Sequence, residues 1–242
     1  FDHFERETEN GTPPFSSYAC MTTYDRSFGL PIAYPKEVFS DLFGEVLARA
    51  KKTQFRCAET EKYAHVTYFF NGGREEPFDG EERTMIPSPK DVATYDLKPE
   101  MCAEKVTQAV CDALASDRYD FILVNFANPD MVGHTGNLEA AIRAVEAVDA
   151  GIARIAQLCI EKSGALIITA DHGNCELMRD PVTGNPHTAH TTNPVPLLYV
   201  SKGDETRGLR SGGRICDVAP TMLAWLGLPQ PAAMTGKSLF LP

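Results

Sequence analysis

Three short stretches gather the residue types that hold cations. Residues 187–196 read "HTAHTTNPVP" and place His187 and His190 three positions apart. Pro194 and Pro196 remove backbone donors, so this is a loop and not a helix. "NPDMVGHTGN" puts Asp130 and His134 at i, i+4, which aligns them if the segment turns helically. "ADHGN" makes Asp171 and His172 neighbours, and Gly173 permits the sharp turn that would let both serve one site. A carboxylate beside an imidazole suits a borderline divalent ion such as Mn²⁺ or Zn²⁺. Each stretch alone also reads as a polar loop with a solvated His. Together they offer enough ligands for two ions, with one or both histidines of "HTAH" contributing; the residues alone do not say which. Paired ions stabilise the attacking and leaving oxygens of a phosphoryl transfer. Such chemistry also needs a nucleophile. Thr135, Thr169 and Thr191 lie near the motifs, but none opens a helix after a strand.

The elements around these stretches alternate. "VFSDLFGEVLARAKK" has Val38, Leu42, Val46 and Leu47 at helical spacing, and "AHVTYFF" before "NGG" is rich in strand formers. "YACMTTY" offers a further short strand. The region "REEPFDGEERTMIPSPKDVATYDLKPEM" is polar, broken by Pro87, Pro89 and Pro99, and reads as a long functional loop. "CAEKVTQAVCDALAS" reads as a helix, and "YDFILVNFA" as a buried parallel strand. "NLEAAIRAVEAVDAGIARIAQLCIEK" is the clearest helix. Asn137 is its N-cap, and Leu138, Ile142, Val145, Val148, Ile152, Ile155 and Cys159 form the expected core stripe. "GALIITA" and "VPLLYV" read as strands, and "DVAPTMLAWLG" as a last helix. The expected class is α/β with a largely parallel sheet. In such sheets ligands gather at the carboxyl ends of strands, where the Asp and His motifs fall.

Composition narrows the partners. The chain has 242 residues and a formal net charge of -10, which disfavours nucleic acid or an anionic membrane as partner. No apolar run approaches a membrane span. The 7 Cys are odd in number, irregularly spaced and without C-x-x-C, so we expect free thiols in a reducing cytoplasm. The first residues, "FDHFERETEN", do not resemble a signal peptide and lack an initiating Met, so a piece of a longer chain is expected.

A resemblance to a known family rests on "AETEKYAHVTYFFNGGREEPFDGEER", "SPKDVATYDLKPEM", "NFANPDMVGHTGNLEAAIRAVEAVD", "ITADHGNCELMRDPVTG", "HTAHTTNPVPLLYV" and "DVAPTMLAWLGLPQPAAMTGKSL". These motifs resemble the cofactor-independent (2,3-bisphosphoglycerate-independent) phosphoglycerate mutases of the alkaline phosphatase superfamily. The likeness runs from about residue 33 to the C-terminus. It implies an alkaline-phosphatase-like three-layer α/β domain with a mostly parallel sheet, incomplete here, over 33–242. Residues 1–32 would be the tail of a second α/β domain, the transferase domain, and a linker.

The resemblance also implies an activity: interconversion of 3-phosphoglycerate and 2-phosphoglycerate in glycolysis through a phosphoserine intermediate and two divalent ions, Mn²⁺ as a rule. Asp130, His134 and His190 match ligands of one ion, and Asp171 and His172 match ligands of the other. Lys62 matches a lysine at the phosphoryl site, where a cation offsets charge on the transferring group. Family members can carry another residue where His187 stands, which makes it the weaker of the pair. The family's nucleophilic Ser, a further Asp ligand and the glycerate-binding residues have no counterpart in this sequence. The chain alone is therefore expected to be inactive, and the intact protein a monomer. A metal-dependent phosphatase or phosphopentomutase relative, and a non-catalytic metal-binding module, are the alternative readings.

Overall fold

The protein's computed structural model describes residues 19–35 and 37–241. The chain divides into two units, 1–39 and 40–242. In the first, Cys20 and Ile32 form a single parallel bridge, closed by Cys20 N–H donating to Pro31 O at 2.8 Å, and Arg26–Phe28 make one 3-10 turn. The strand expected over "YACMTTY" is thus reduced to that bridge within its described part. Residues 1–18 of the expected transferase tail lie outside the described residues.

The second unit is built on a parallel sheet. Strand β1 (Gln54–Glu59) lies between β2 (Glu81–Ile86) and β3 (Phe121–Asn125), with Gln54 opposite Glu81 on one side and Phe121 on the other. β1 is buried at every position, as a central parallel strand covered on both faces must be. Helix α1 (Phe43–Arg49) precedes it, and α2 (Thr60–Val66) follows it directly. Helix α3 (Ala103–Ala115) leads into β3; α4 (Asn128–Gly133) and α5 (Leu138–Glu161) follow.

Alternation along β1 sorts the layers. Phe55 and Cys57 pack with Val106, Val110 and Ala113 of α3 and Ile155 of α5. On the opposite face Phe121 packs with Phe43, Val46 and Leu47 of α1 and Leu223 of α6 (Val218–Trp225). Leu47 and Leu223 are fully buried, each contributing about 2 kcal/mol. Helices on both faces of the sheet make the three-layer α/β arrangement the sequence implies.

Several local expectations are corrected. "AHVTYFF" is not a strand: it holds the end of α2 and the turns after it. The buried Arg56 guanidinium donates to Val66 O at 2.8 Å, and the Thr67 hydroxyl to Tyr63 O at 2.7 Å. These contacts hold the backbone in turns that local β propensity would not choose. The long polar loop contains β2, a sheet edge. α1 starts at Phe43, and Val38 is fully open to solvent.

Helix α5 has its Asn137 cap, whose side chain accepts from Ala140 N–H at 3.2 Å; Ile155 and Cys159 of the expected stripe are buried, but the N-terminal half turns a different face inward. Leu138, Ile142 and Val145 are exposed, whereas Ala140, Ala141, Ala144 and Gly151 are buried. Small residues let α5 approach α3 closely: a Cβ on Gly151 would lie 2.4 Å from Thr107 Oγ1. Finally, β5 (Leu197–Ser201) runs antiparallel to β4 (Ala165–Thr169), with Leu197 opposite Thr169. Residues 170–196 contain no helix, and a parallel return needs a crossover. The connection therefore leaves and re-enters at the same end of β4.

Candidate metal centre

The carboxyl ends of β1 and β3 lie side by side because the strands are parallel and in register. Beyond β1, α2 carries Lys62. Beyond β3, α4 carries Asp130, with Pro129 in its first turn, where a missing N–H costs nothing. Asn128 Nδ2 donates to Pro99 O at 2.9 Å and fixes the start of this helix. His134 is the residue that caps its end, one turn beyond Asp130. The 170–196 connection supplies His172 and His190, and Thr169 Oγ1 closes its base by donating to Pro196 O at 2.8 Å.

These residues converge on one carboxylate. Asp130 Oδ1 lies 2.9 Å from His190 Nε2, 3.1 Å from His134 Nε2 and 3.9 Å from His172 Nε2. His134 Nε2 and His190 Nε2 are 3.1 Å apart, and the His172 and His190 rings stack at 3.7 Å. Ligand atoms of Asp130, His172 and His190 all fall within 4.8 Å of one another. Lys62 Nζ forms an ion pair with Asp130 Oδ2, and Asn174 Nδ2 donates to Oδ1 at 2.9 Å. Burial works against the charged carboxylate. The hydrogen bonds from Lys62 and Asn174, with the Lys62 charge, outweigh it and hold the Asp130 carboxyl at about 2. Asp130 is therefore an anion at any ordinary pH.

The donor set fits a divalent cation. His134 Nδ1 is 2.7 Å from Thr188 O, and a carbonyl only accepts, so Nδ1 is the donor, and in the neutral ring this leaves the Nε2 lone pair to the cluster. Two imidazole nitrogens and a carboxylate oxygen face each other at 2.9–3.1 Å, close enough to share one cation. Nitrogen and oxygen ligands in this mixture suit Mn²⁺, Co²⁺ or Zn²⁺.

Sequence reasoning singled out Asp130, His134, Asp171, His172, His190 and Lys62, and the structure draws all but Asp171 onto Asp130. Asp171 is more exposed and lies beside the cluster, with Oδ1 3.6 Å from His172 Nε2. His187 is not among the clustered ligand atoms: its backbone N–H donates to Met178 O, and its ring Nδ1 is buried without a hydrogen-bond partner.

Other contributors escaped the sequence. Asn174 stood in the quoted "ADHGN" but carries no charge to single it out. Gly133 makes room for it, since a Cβ there would sit 2.2 Å from Asn174 Oδ1. His65, one turn after Lys62, is within electrostatic reach. Burial and the Lys62 charge push its imidazole below the usual value, while Asp171 and Asp130 pull the other way. Its spacing from Lys62 on a helix was the available signal, hidden while "AHV" read as a strand.

Comparison with known proteins agrees with this geometry. Residues 19–230 match the metalloenzyme superfamily. The chain is 57% identical, over 242 residues, to a 2,3-bisphosphoglycerate-independent phosphoglycerate mutase of Syntrophotalea carbinolica, covering 100% of this chain and 46% of that protein. It is 51% identical to the enzyme of that name from Chloroflexus aggregans, covering 99% and 47%. A solved structure of Leishmania mexicana phosphoglycerate mutase at low cobalt concentration superposes with a TM-score of 0.82 at 34% identity, covering 93% of this chain and 44% of that one. The chain thus spans about half the length of the curated relatives it matches.

Proposed function

The chain belongs to the metalloenzyme superfamily, and from that premise we propose that it is the metal-binding part of a cofactor-independent phosphoglycerate mutase. The carrying observation is the convergence of His134, His172 and His190 on the Asp130 carboxylate with Lys62 behind it. The substrates are 3-phosphoglycerate and 2-phosphoglycerate, and the phosphoryl group passes through a Ser that this chain does not supply. Similarity to mutases along its whole length supports that reading, as does the cluster itself: among the described residues, none of the hydrogen-bonding partners of Asp130, His134, His172 or His190 is a Ser or Thr hydroxyl. In this reading residues 1–32 are the tail of the substrate-holding transferase domain and a linker.

In this reading Asp130, His134 and His190 hold one divalent ion, and Asp171 and His172 contribute to a second, Mn²⁺ being the expected metal. Bound ions would offset negative charge on the transferring phosphoryl group. The protein's own parts do the rest. Lys62 keeps Asp130 ionised and presents an ammonium beside the transfer path. The Thr188 carbonyl fixes the His134 tautomer. The seven free cysteines suit a reducing cytoplasm. Among the described residues no helix is long and apolar enough to cross a membrane.

The test is a coupled enolase assay with elemental analysis. The isolated chain should bind Mn²⁺ yet show no turnover, and the full-length protein containing it should turn over and lose activity in EDTA. Robust mutase turnover by the chain alone would overturn the missing nucleophile. Failure to bind any divalent ion would overturn the metal centre.

A further inference from the structure

His172 and His190 reach the cluster from opposite limbs of the helix-free 170–196 connection. A connection of that kind has high conformational entropy, so something must hold the two limbs in register for their rings to stack. Ring stacking alone is worth about 1 kcal/mol.

We propose that Glu176 is the positioning residue that clamps the His172 turn to the His190 loop. Both of its carboxylate oxygens are used, one for each limb. Oε2 accepts the Asn174 N–H at 2.7 Å, within the His172 turn. Oε1 accepts Asn193 Nδ2 at 3.0 Å and the Thr191 hydroxyl, both on the His190 loop. Beside this clamp Thr191 N–H donates to Gly173 O at 2.9 Å, an isolated antiparallel bridge. The residue after His172 is thereby tied to the residue after His190. Gly173 is required for the close approach: a Cβ there would lie 2.2 Å from Thr191 Oγ1 and 2.4 Å from Glu176 Oε1.

The clamp extends to the central carboxylate. The Asn174 whose N–H is held by Glu176 donates its Nδ2 to Asp130 Oδ1 at 2.9 Å. Glu176 thus acts on His172, His190 and Asp130 without touching any of them. Hydrogen bonds to a carboxylate are stronger than neutral ones, which suits a brace between two loops. The geometry of the clamp stands alone; its consequence for cation affinity rests on the metal-centre reading above.

Two measurements on the whole chain test the proposal. The first is amide hydrogen exchange in EDTA on the parent, Glu176→Ala and Thr191→Val. Exchange at Asn174 and Thr191 should accelerate in Glu176→Ala, and at Thr191 in Thr191→Val, with the amides of β1 unchanged. The second is Co²⁺ titration followed by visible absorption. Both variants should bind about 10–100-fold more weakly, the usual effect of losing an outer-shell partner, with an altered spectrum. Glu176→Gln keeps an acceptor for only one limb and should fall between parent and Glu176→Ala.

Unchanged exchange at Asn174 and Thr191 overturns the clamp. So does acceleration spread through the whole chain, or an unchanged Co²⁺ affinity and spectrum. If Glu176→Ala does not fold, Thr191→Val decides by the same two readouts. If the parent itself binds no Co²⁺, the metal-centre reading falls, and exchange in EDTA still decides the clamp.

Discussion

Lys62 and Asp130 stand 68 positions apart in the chain, and the Lys62 ammonium forms an ion pair with Asp130 Oδ2. Their side chains are only 9% and 13% exposed, so each supplies most of the other's compensation for lost water. Lys62→Met should leave a largely buried carboxylate without its counter-charge and cost about 3 kcal/mol. Urea unfolding in EDTA measures this. In saturating Mn²⁺ the loss should shrink if the proposed ion binds at Asp130, because its charge would stand beside the same carboxylate.

The two histidines of "HTAH" should separate on mutation. His190→Ala removes an imidazole 2.9 Å from Asp130 Oδ1 and should weaken Mn²⁺ binding by about tenfold or more. His187→Ala should leave binding unchanged, because the ligand atoms that come together are those of Asp130, His172 and His190. Calorimetric titration with Mn²⁺ checks both, and equal losses would contradict the assignment.

Gly133→Ala should disturb the site without touching a ligand. Its Cβ would fall 2.2 Å from Asn174 Oδ1, and the amide must then leave Asp130. Overpacking of this kind costs about 1–3 kcal/mol. The expected outcome is a lower thermal midpoint in EDTA together with weaker Mn²⁺ binding.

Glu59 supplies a pH-dependent prediction. It is fully buried at the carboxyl end of β1, with Oε1 accepting Cys102 N–H at 3.0 Å. Burial pushes its carboxyl above the usual range, with the Cys102 hydrogen bond pulling the other way. A raised value means its contribution to stability is full below the ordinary Glu value of about 4.3 and is lost as pH rises through the raised one. Glu59→Gln keeps the acceptor for Cys102 N–H and carries no charge. The variant should gain stability over the parent as pH rises through that window, as read by thermal midpoints at a series of pH values.

Local pattern revealed much of the fold. The apolar run of β3, the cap at Asn137 and the helical periodicity of α3 were legible because the signal for each lies within one turn or one strand. β1 was not legible, although it is the centre of the sheet. Its Gln54, Arg56 and Glu59 are residue types usually found at the surface, yet all three are fully buried, paired with Gly44 O, Val66 O and Cys102 N–H. The stripe of α5 was right at Ile155 and Cys159 and misread in the N-terminal half for a related reason: the core there needed small residues, and hydrophobicity alone pointed to Leu138, Ile142 and Val145.

The sequence by itself determined the chemical inventory. Asp130, His134, His172 and His190 are ligand types at spacings that local turns can use, and Lys62 was marked by the motif around it. Only the tertiary structure decided how they combine. Parallel pairing of β1 with β3 sets Lys62 against Asp130, and the antiparallel return of β5 brings His190 back over His172. Sequence periodicity reports which way a side chain faces on its own element. Which elements meet depends on strand pairing and close packing between segments far apart in the chain, and these placed His134, His172 and His190 around one carboxylate.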